Sequence, residues 1–271
     1  MTNPFKNKKI RTLSKITPKT LKPCSFEQFG YFLAGLIDSD GCITKRGEVR
    51  IAFHVNEIRV AYYLKAVIGY GTVYKEKHSL TVRYTCGALA GLVKIAPLII
   101  NKLKHDTKID QFNTRLVPTL LKKGHFCPDT IDTPFNLLNN HWLAGFIQGD
   151  GSLTVLLSKR KRNNNYEVAM NISISQKKPK LLELIKEAFG GSIGYRKLQD
   201  GYYYTSNSFT NAVKLIQYLD RFQLIGNKLS QYWVWRQAYI LFQEKAHLSP
   251  QGMAEIALFK KQLTFLKHKK F

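Results

Sequence analysis

Asp40 and Asp150 are the residues whose setting points most directly to chemistry. Each is the eighth residue of a nonapeptide: Leu33-Ala34-Gly35-Leu36-Ile37-Asp38-Ser39-Asp40-Gly41 returns 110 residues later as Leu143-Ala144-Gly145-Phe146-Ile147-Gln148-Gly149-Asp150-Gly151. Within each copy small residues stand four apart, Gly35 with Ser39 and Gly145 with Gly149, so on a helix they share one face. Such spacing lets two helix backbones approach closely. Packed side by side about a pseudo-twofold axis, the two helices would deliver Asp40 and Asp150 together at their C-terminal ends. Each carboxylate would face the negative pole of its own helix and the other acid, an arrangement that calls for a cation. Oxygen ligands with few other protein donors suit Mg²⁺, which keeps waters and completes its shell from phosphate. The pair therefore predicts a metal site for phosphodiester hydrolysis, in which the metal polarises phosphate and activates water. One copy alone would read as a buried helix lacking bulk, ended by a turn aspartate. Two matching copies tip the balance.

Other residues repeat with the motif. Lys108-Ile109-Asp110-Gln111-Phe112 resembles Lys228-Leu229-Ser230-Gln231-Tyr232. This puts Lys108 and Lys228 near the start of each half's last helix, where an ammonium could stabilise pentacovalent charge or order the attacking water. Lys104 is a substitute in the first half. Val55-Asn56-Glu57 pairs with Ile174-Ser175-Gln176, making Glu57 and Gln176 candidates to hold solvent in the same pocket. The second half gains about nine residues before its second strand, assigned to the polar loop of residues 158–165.

Stepping outward, each half reads as helix, two strands, helix, two strands, helix. The first helix opens on a capping box, Ser25-Phe26-Glu27-Gln28, and ends at Gly41. Ile51, Phe53 and Val55 alternate with Arg50, Ala52 and His54, and Met170, Ile172 and Ile174 with Asn171, Ser173 and Ser175. Each sheet thus has an apolar face for helices and a polar face for a ligand. The division expected is a basic arm (1–24), a first repeat (25–121), a linker (122–135), a second repeat (136–248) and a basic C-terminal amphipathic helix (249–271) for packing or phosphate contact.

Charge narrows the partner. Against 18 Asp+Glu stand 42 Lys+Arg, a net +24 that asks for a polyanion, and the basic residues spread along the chain as nucleic acid requires, with no membrane anchor. The best apolar run, Gly87 to Ile100, is broken by Lys94 and is too short to span a bilayer. Cys24, Cys42, Cys86 and Cys127 form no CxxC pair, which reads as free thiols in a reducing compartment. Seven Lys/Arg and no acid in the first 26 residues suit an organelle transit peptide or an arm laid on phosphate.

The repeated motif resembles that of the LAGLIDADG homing endonucleases in their monomeric, two-repeat form, over nearly everything from Ser25 to Gln243. The resemblance implies an α+β fold of two αββαββα subdomains whose saddle-shaped antiparallel sheets lie in the DNA major groove. It implies a staggered double-strand cut across the minor groove with 3′ overhangs. Asp40 and Asp150 would be the metal ligands, with the main-chain carbonyls of Ser39 and Gly149, and Lys108 and Lys228 fall where the family keeps lysines. Gln148 replaces the sixth-position Asp, and Glu57 stands where Gln or Asp is more usual. Mg²⁺ is the expected cofactor, with Mn²⁺ or Ca²⁺ able to substitute in binding. The partner expected is a duplex of about 20 base pairs, two helical turns. Arg46, Arg50, His54, Asn171, Ser173, Tyr195, Arg196 and Tyr203 are the candidate base or phosphate contacts. Intron encoding in a mitochondrion or chloroplast follows at family level. An intron-RNA maturase and a non-cleaving DNA-binding protein on the same scaffold are the alternatives.

Overall fold

In the computed structural model, which describes residues 12–19, 22–159 and 166–268, the two motifs become helices with no polar face to speak of. Helix α1 (Phe26–Asp40) is buried without a break from Phe32 to Asp38, and α6 (Trp142–Asp150) from Trp142 to Gln148. Helices apolar all round belong in the centre of a core, and these two pack on each other there.

From each motif the chain runs straight into an edge strand. The first sheet takes β1 (Gly41–Ile43), β2 (Val49–His54), β3 (Thr72–Lys75) and β4 (Thr81–Cys86) in the antiparallel order β1-β2-β4-β3. The second takes β5 (Gly151–Lys159), β6 (Tyr166–Gln176), β7 (Ser192–Arg196) and β8 (Gly201–Ser206) in the equivalent order β5-β6-β8-β7. Val49, Ile51, Phe53, Val82 and Tyr84 are buried on one face of the first sheet, and Leu153, Val155, Met170, Ile172, Ile174 and Tyr204 on the matching face of the second. Helices α2 (Ile58–Ile68) and α7 (Lys180–Phe189) join the hairpins; α7 buries Leu181, Leu182, Ile185 and Phe189 at helical spacing.

Each half carries one helix beyond the seven elements of αββαββα. After α3 (Leu89–Ile99) and α8 (Phe209–Arg221) complete αββαββα, a further helix holds the repeated lysine. In the first half this is α4 (Asp106–Gln111), continued by a π-helical turn (Phe112–Leu116) into α5 (Val117–Leu121). In the second it is the unbroken α9 (Gly226–Gln243). Residues 125–136 form no helix or strand, yet they are tied down: the Thr130 hydroxyl accepts from the Asn101 N–H at 2.7 Å and Lys104 pairs with Asp132 at 2.7 Å. Helix α10 (Pro250–His268) packs on α9 and reaches β5.

Two expectations need correcting. The sheet register makes Ile174, opposite Gly151 and Tyr204, the counterpart of Ile51, opposite Gly41 and Tyr84. Gln176 therefore matches Phe53 and not Glu57, and the separation there is 123 residues, so the β5–β6 hairpin is longer than the nine-residue insertion implied. A strand's alternation matches itself at any even shift, which is how a four-residue slip hid in the sequence. The expected insertion falls partly on residues 160–165, which lie outside the described residues. Second, the capping box is half formed: Ser25 accepts from the Gln28 N–H at 3.2 Å, but the Gln28 side chain reaches across to the His141 N–H, also at 3.2 Å, at the start of α6. The described part of the N-terminal arm packs on protein. The Gln243 side chain brackets Leu13 at 2.8 and 3.1 Å, Arg236 donates to the Ser14 carbonyl at 3.0 Å, and Lys15 pairs with Glu244 at 2.7 Å.

Candidate active site

The centre is set by how closely α1 and α6 approach. A Cβ on Gly35 would stand 2.0 Å from the Trp142 carbonyl oxygen, and one on Gly145 2.1 Å from that of Phe32. No side chain fits at either position. One turn on, a Cβ on Gly149 would meet the Ser39 hydroxyl at 2.2 Å and Asp40 Oδ2 at 2.9 Å, so the Asp40 carboxylate lies against the end of the partner helix. Both acids thus reach one place where the two helices end and the two edge strands begin.

Their electrostatics agree with that placement. Burial pushes Asp150 up to about 7, with the Asp40 charge as the next cause, while Lys228, the Gln176 amide and Lys108 pull it back. Asp40 opens to solvent, yet enough protein walls it that burial still raises its carboxyl, against the pull of Lys228 and then Lys108. The Gln176 side-chain amide donates to Asp150 Oδ2.

Both repeated lysines point into the same region. Lys108 Nζ donates to the Gly41 carbonyl at 2.6 Å; Lys228 Nζ donates to that of Gly151 at 2.6 Å and of Gly149 at 3.3 Å. Each ammonium is therefore held at the residue following its own half's acid. Burial lowers Lys228, and Glu57, Asp40 and Asp150 raise it in turn. Lys104 takes no part: its ammonium is turned to Asp132 and the Thr133 carbonyl and sits 4.3 Å from the centre of the Phe135 ring.

Glu57 and Gln176 are not symmetry mates. Glu57 is buried in the short 3-10 turn after β2, accepts from Gln148 Nε2 at 3.0 Å, and is pushed up to about 7 by burial against Lys228 and the N–H groups of Lys228 and Asn227. It lines a cavity of about 310 Å³ together with Asp40, His54, Asn56, Lys228 and Lys267. Asp150 is not part of that wall.

Asp38 and Gln148, to which the sequence gives no role in the site, hold the lysine helices in place. Asp38, fully buried, accepts from the N–H of Lys104 at 2.8 Å and of His105 at 3.1 Å, and from Trp142 Nε1 at 2.8 Å. Burial lifts its carboxyl to about 7 against these donors. Gln148, its counterpart, accepts from the Ile225 N–H at 2.9 Å. The sixth position of each motif therefore grips the backbone leading into that half's lysine helix. A polar residue in the same place on two otherwise apolar helices was the available signal.

The candidate nucleic-acid contacts divide. Arg46 is exposed in the β1–β2 turn; Arg50 lies on the polar face, paired with Glu48 at 2.6 Å; His54 ends β2 at the cavity. Ser173 is on the polar face of β6, and Asn171 beside it is buried and bonded to Thr205 at 2.8 Å. The Arg196 guanidinium stacks 4.5 Å from the Tyr203 ring on that face. Tyr195 does not share it: neighbouring strand residues point oppositely, and Tyr195 lies with Tyr202, donating to Asp200 at 2.7 Å.

Two repeats whose helices touch backbone to backbone, with an acid from each at one composite centre and a polar sheet face on either side, define a two-repeat protein with a single joint site. A LAGLIDADG endonuclease family model matches residues 143–239. The chain is 41% identical over 240 residues to an "Uncharacterized cox1 intron-2 37.2 kDa protein" of Schizosaccharomyces pombe, covering 88% of this chain and 74% of that one. It is 27% identical over 266 residues to "Probable intron-encoded endonuclease 4" of Neurospora crassa (96% and 48%), and 25% identical over 205 residues to "Intron-encoded RNA maturase bI4" of Saccharomyces cerevisiae (74% and 30%). Among solved structures, the meganuclease I-SmaMI bound to uncleaveable DNA superposes with a TM-score of 0.69 at 23% identity, covering 86% of this chain and 97% of that one. The chain belongs to the LAGLIDADG endonuclease family, with the two-subdomain α+β fold of its monomeric members.

Proposed function

We propose that this chain is a site-specific endonuclease that hydrolyses one phosphodiester on each strand of a long DNA duplex, acting as a monomer with Mg²⁺ and leaving 3′ overhangs. The observation that carries this reading is the convergence of Asp40 and Asp150 at the ends of helices in backbone contact, with Lys108 and Lys228 beside them. The donor set suits a hard ion. Among the described residues no three His, Cys, Asp or Glu side chains gather as a metal cage, and two carboxylates with the carbonyls of Ser39 and Gly149 leave room for water and phosphate oxygens, as Mg²⁺ prefers. When bound, the ion supplies the charge that polarises phosphate and acidifies water.

The remaining work falls to the chain. Lys108, anchored to one carbonyl, and Lys228, anchored to two, each keep an N–H for the phosphate oxygens on which charge builds. Glu57, as the carboxylate, can take a proton from a cavity water as the water oxygen bonds to phosphorus and the P–O bond to the departing ester oxygen breaks, that oxygen leaving as a hydroxyl with a proton from solvent. The polar sheet faces, with Arg46, Arg50, His54, Asn171, Ser173, Arg196 and Tyr203, would follow the grooves over about 20 base pairs. The net charge of +24 makes binding steeply salt-dependent. The cox1-intron name of the S. pombe relative favours a mitochondrial setting over a chloroplast.

The second reading, intron-RNA maturase, rests on the similarity to a protein of that name. Incubation with a pool of long random duplexes and Mg²⁺, followed by sequencing of the ends, tests the two. Recovery of one recurrent sequence with staggered ends supports the nuclease. An uncut pool, with selective retention of structured intron RNA, would move the assignment to the maturase.

A further inference from the structure

The C-terminal helix brings a third lysine to this centre, from one side only. Lys267 Nζ donates to the Ser152 hydroxyl at 2.9 Å and the Thr154 hydroxyl at 3.3 Å, both on the polar face of β5 within four residues of Asp150. It forms part of the wall of the cavity that holds Asp40, Glu57 and Lys228. The last turn of α10 would otherwise leave its carbonyls unpaired. Here they are held from both halves: Asn227 Nδ2 donates to the Leu266 carbonyl at 2.8 Å and Asn56 Nδ2 to that of Lys267 at 3.4 Å. Asn227 is the residue before Lys228. The ammonium is therefore fixed by its own bonds and by the backbone it hangs from, and the hydroxyls it meets leave it an N–H to spare.

Two lysines then face one cavity. Burial lowers Lys267, and the Lys228 charge lowers it further, which places the two cations within electrostatic reach of each other. An anion between them relieves that repulsion. The other side of the centre differs. Cys42 in β1 and Thr44 just after it match Ser152 and Thr154 of β5, and the chain after α5 leaves for the linker, so among the described residues no lysine caps β1 in this way.

We infer that Lys267 is a strand-specific phosphate contact of the active site, binding the backbone of whichever DNA strand enters the cavity between Asp40 and Lys228. The assignment rests on the nuclease reading and adds to it that the two strands meet unequal sites.

The test uses the duplex recovered from the random pool, each strand carrying its own end label, cut by the full chain and by Lys267→Ala and Lys267→Arg under single turnover with Mg²⁺. In K267A one strand should slow by about tenfold, the other should change little, and nicked duplex should accumulate; K267R should restore most of the lost rate. In parallel, affinity with Ca²⁺ at several salt concentrations should give a log–log slope shallower by about 0.9 in K267A, one phosphate contact fewer, with an unchanged melting temperature showing that α10 stays docked. Equal slowing of both strands, or unchanged rates and salt slope, overturns the assignment while leaving the nuclease reading intact. If the unsubstituted chain cuts neither strand, the nuclease reading fails, and an unchanged salt slope still decides against Lys267.

Discussion

Asp40 faces a cavity shared with Glu57, Lys228 and Lys267, whereas Asp150 stands outside that wall with its carboxylate bonded by the Gln176 amide. The helix-contact glycines Gly35 and Gly145, the acid at the eighth position and the anchoring of each lysine to the carbonyl after its acid match in the two halves. What surrounds each acid is not. Pseudosymmetry therefore governs the parts that bring the carboxylates together, and it lapses in the strand ends and the C-terminal helix around them. A shared centre with unlike flanks suits an asymmetric duplex.

The largest expected effect falls where the halves agree. Asp40→Asn and Asp150→Asn should each abolish cutting of both strands, by about 10³-fold or more, while leaving binding to the duplex within a few-fold; strand-resolved kinetics and gel retardation would check it. If either variant lost only one strand, the acids would serve separate sites and the halves would be less coupled than their packing implies.

Next comes the helix contact. Gly145→Val places side-chain atoms where the Phe32 carbonyl stands and should destabilise the fold by about 3 kcal/mol or more, read by urea unfolding. Gly35→Val should do the same against Trp142. A large difference between them would show that one helix yields and the other does not.

The sixth-position pair sharpens the comparison further. Asp38→Asn puts an amide among three N–H donors and should cost about 1–3 kcal/mol; Gln148→Ala gives up fewer bonds. The pH dependence separates them. A carboxyl raised by burial from 3.8 to about 7 gives stability that is fully present below the unfolded value and lost as pH rises through the folded one. The chain should therefore lose more stability between pH 4 and 7 than Asp38→Asn does, and Gln148→Ala, which keeps Asp38, should still show that loss.

Gln176→Ala should have the smallest effect. Without the amide, Asp150 is harder to ionise, so the acid limb of the pH–rate profile moves to higher pH, with a loss of about tenfold or less near pH 6. Because the two acids share one centre, both strands should slow together.

Much of this was legible in the residues, for identifiable reasons. The two nonapeptides announce helices that touch, because only glycine tolerates a carbonyl oxygen 2.0 Å from its would-be Cβ. The alternation of Ile51 and Phe53 with Arg50 and Ala52 is visible because one face of the sheet is buried. Register is not: even-numbered shifts of a strand look alike, so the residues alone pair Glu57 with Gln176, although one sits in a 3-10 turn and the other ends a strand. Asp38 went unread because its three partners come from Lys104, His105 and Trp142, far away in the chain. Lys267 carried no signal, being one lysine among many, and only the seating of α10 distinguishes it.

The central claim is that Asp40 and Asp150 bind divalent metal together. Electron paramagnetic resonance of Mn²⁺ titrated into the complex of the chain with its duplex, corrected for Mn²⁺ on the duplex alone, tests it most directly. Protein-dependent Mn²⁺ binding should be present in the unsubstituted chain and lost in both Asp40→Asn and Asp150→Asn. Undiminished Mn²⁺ binding in both variants would contradict a shared metal centre.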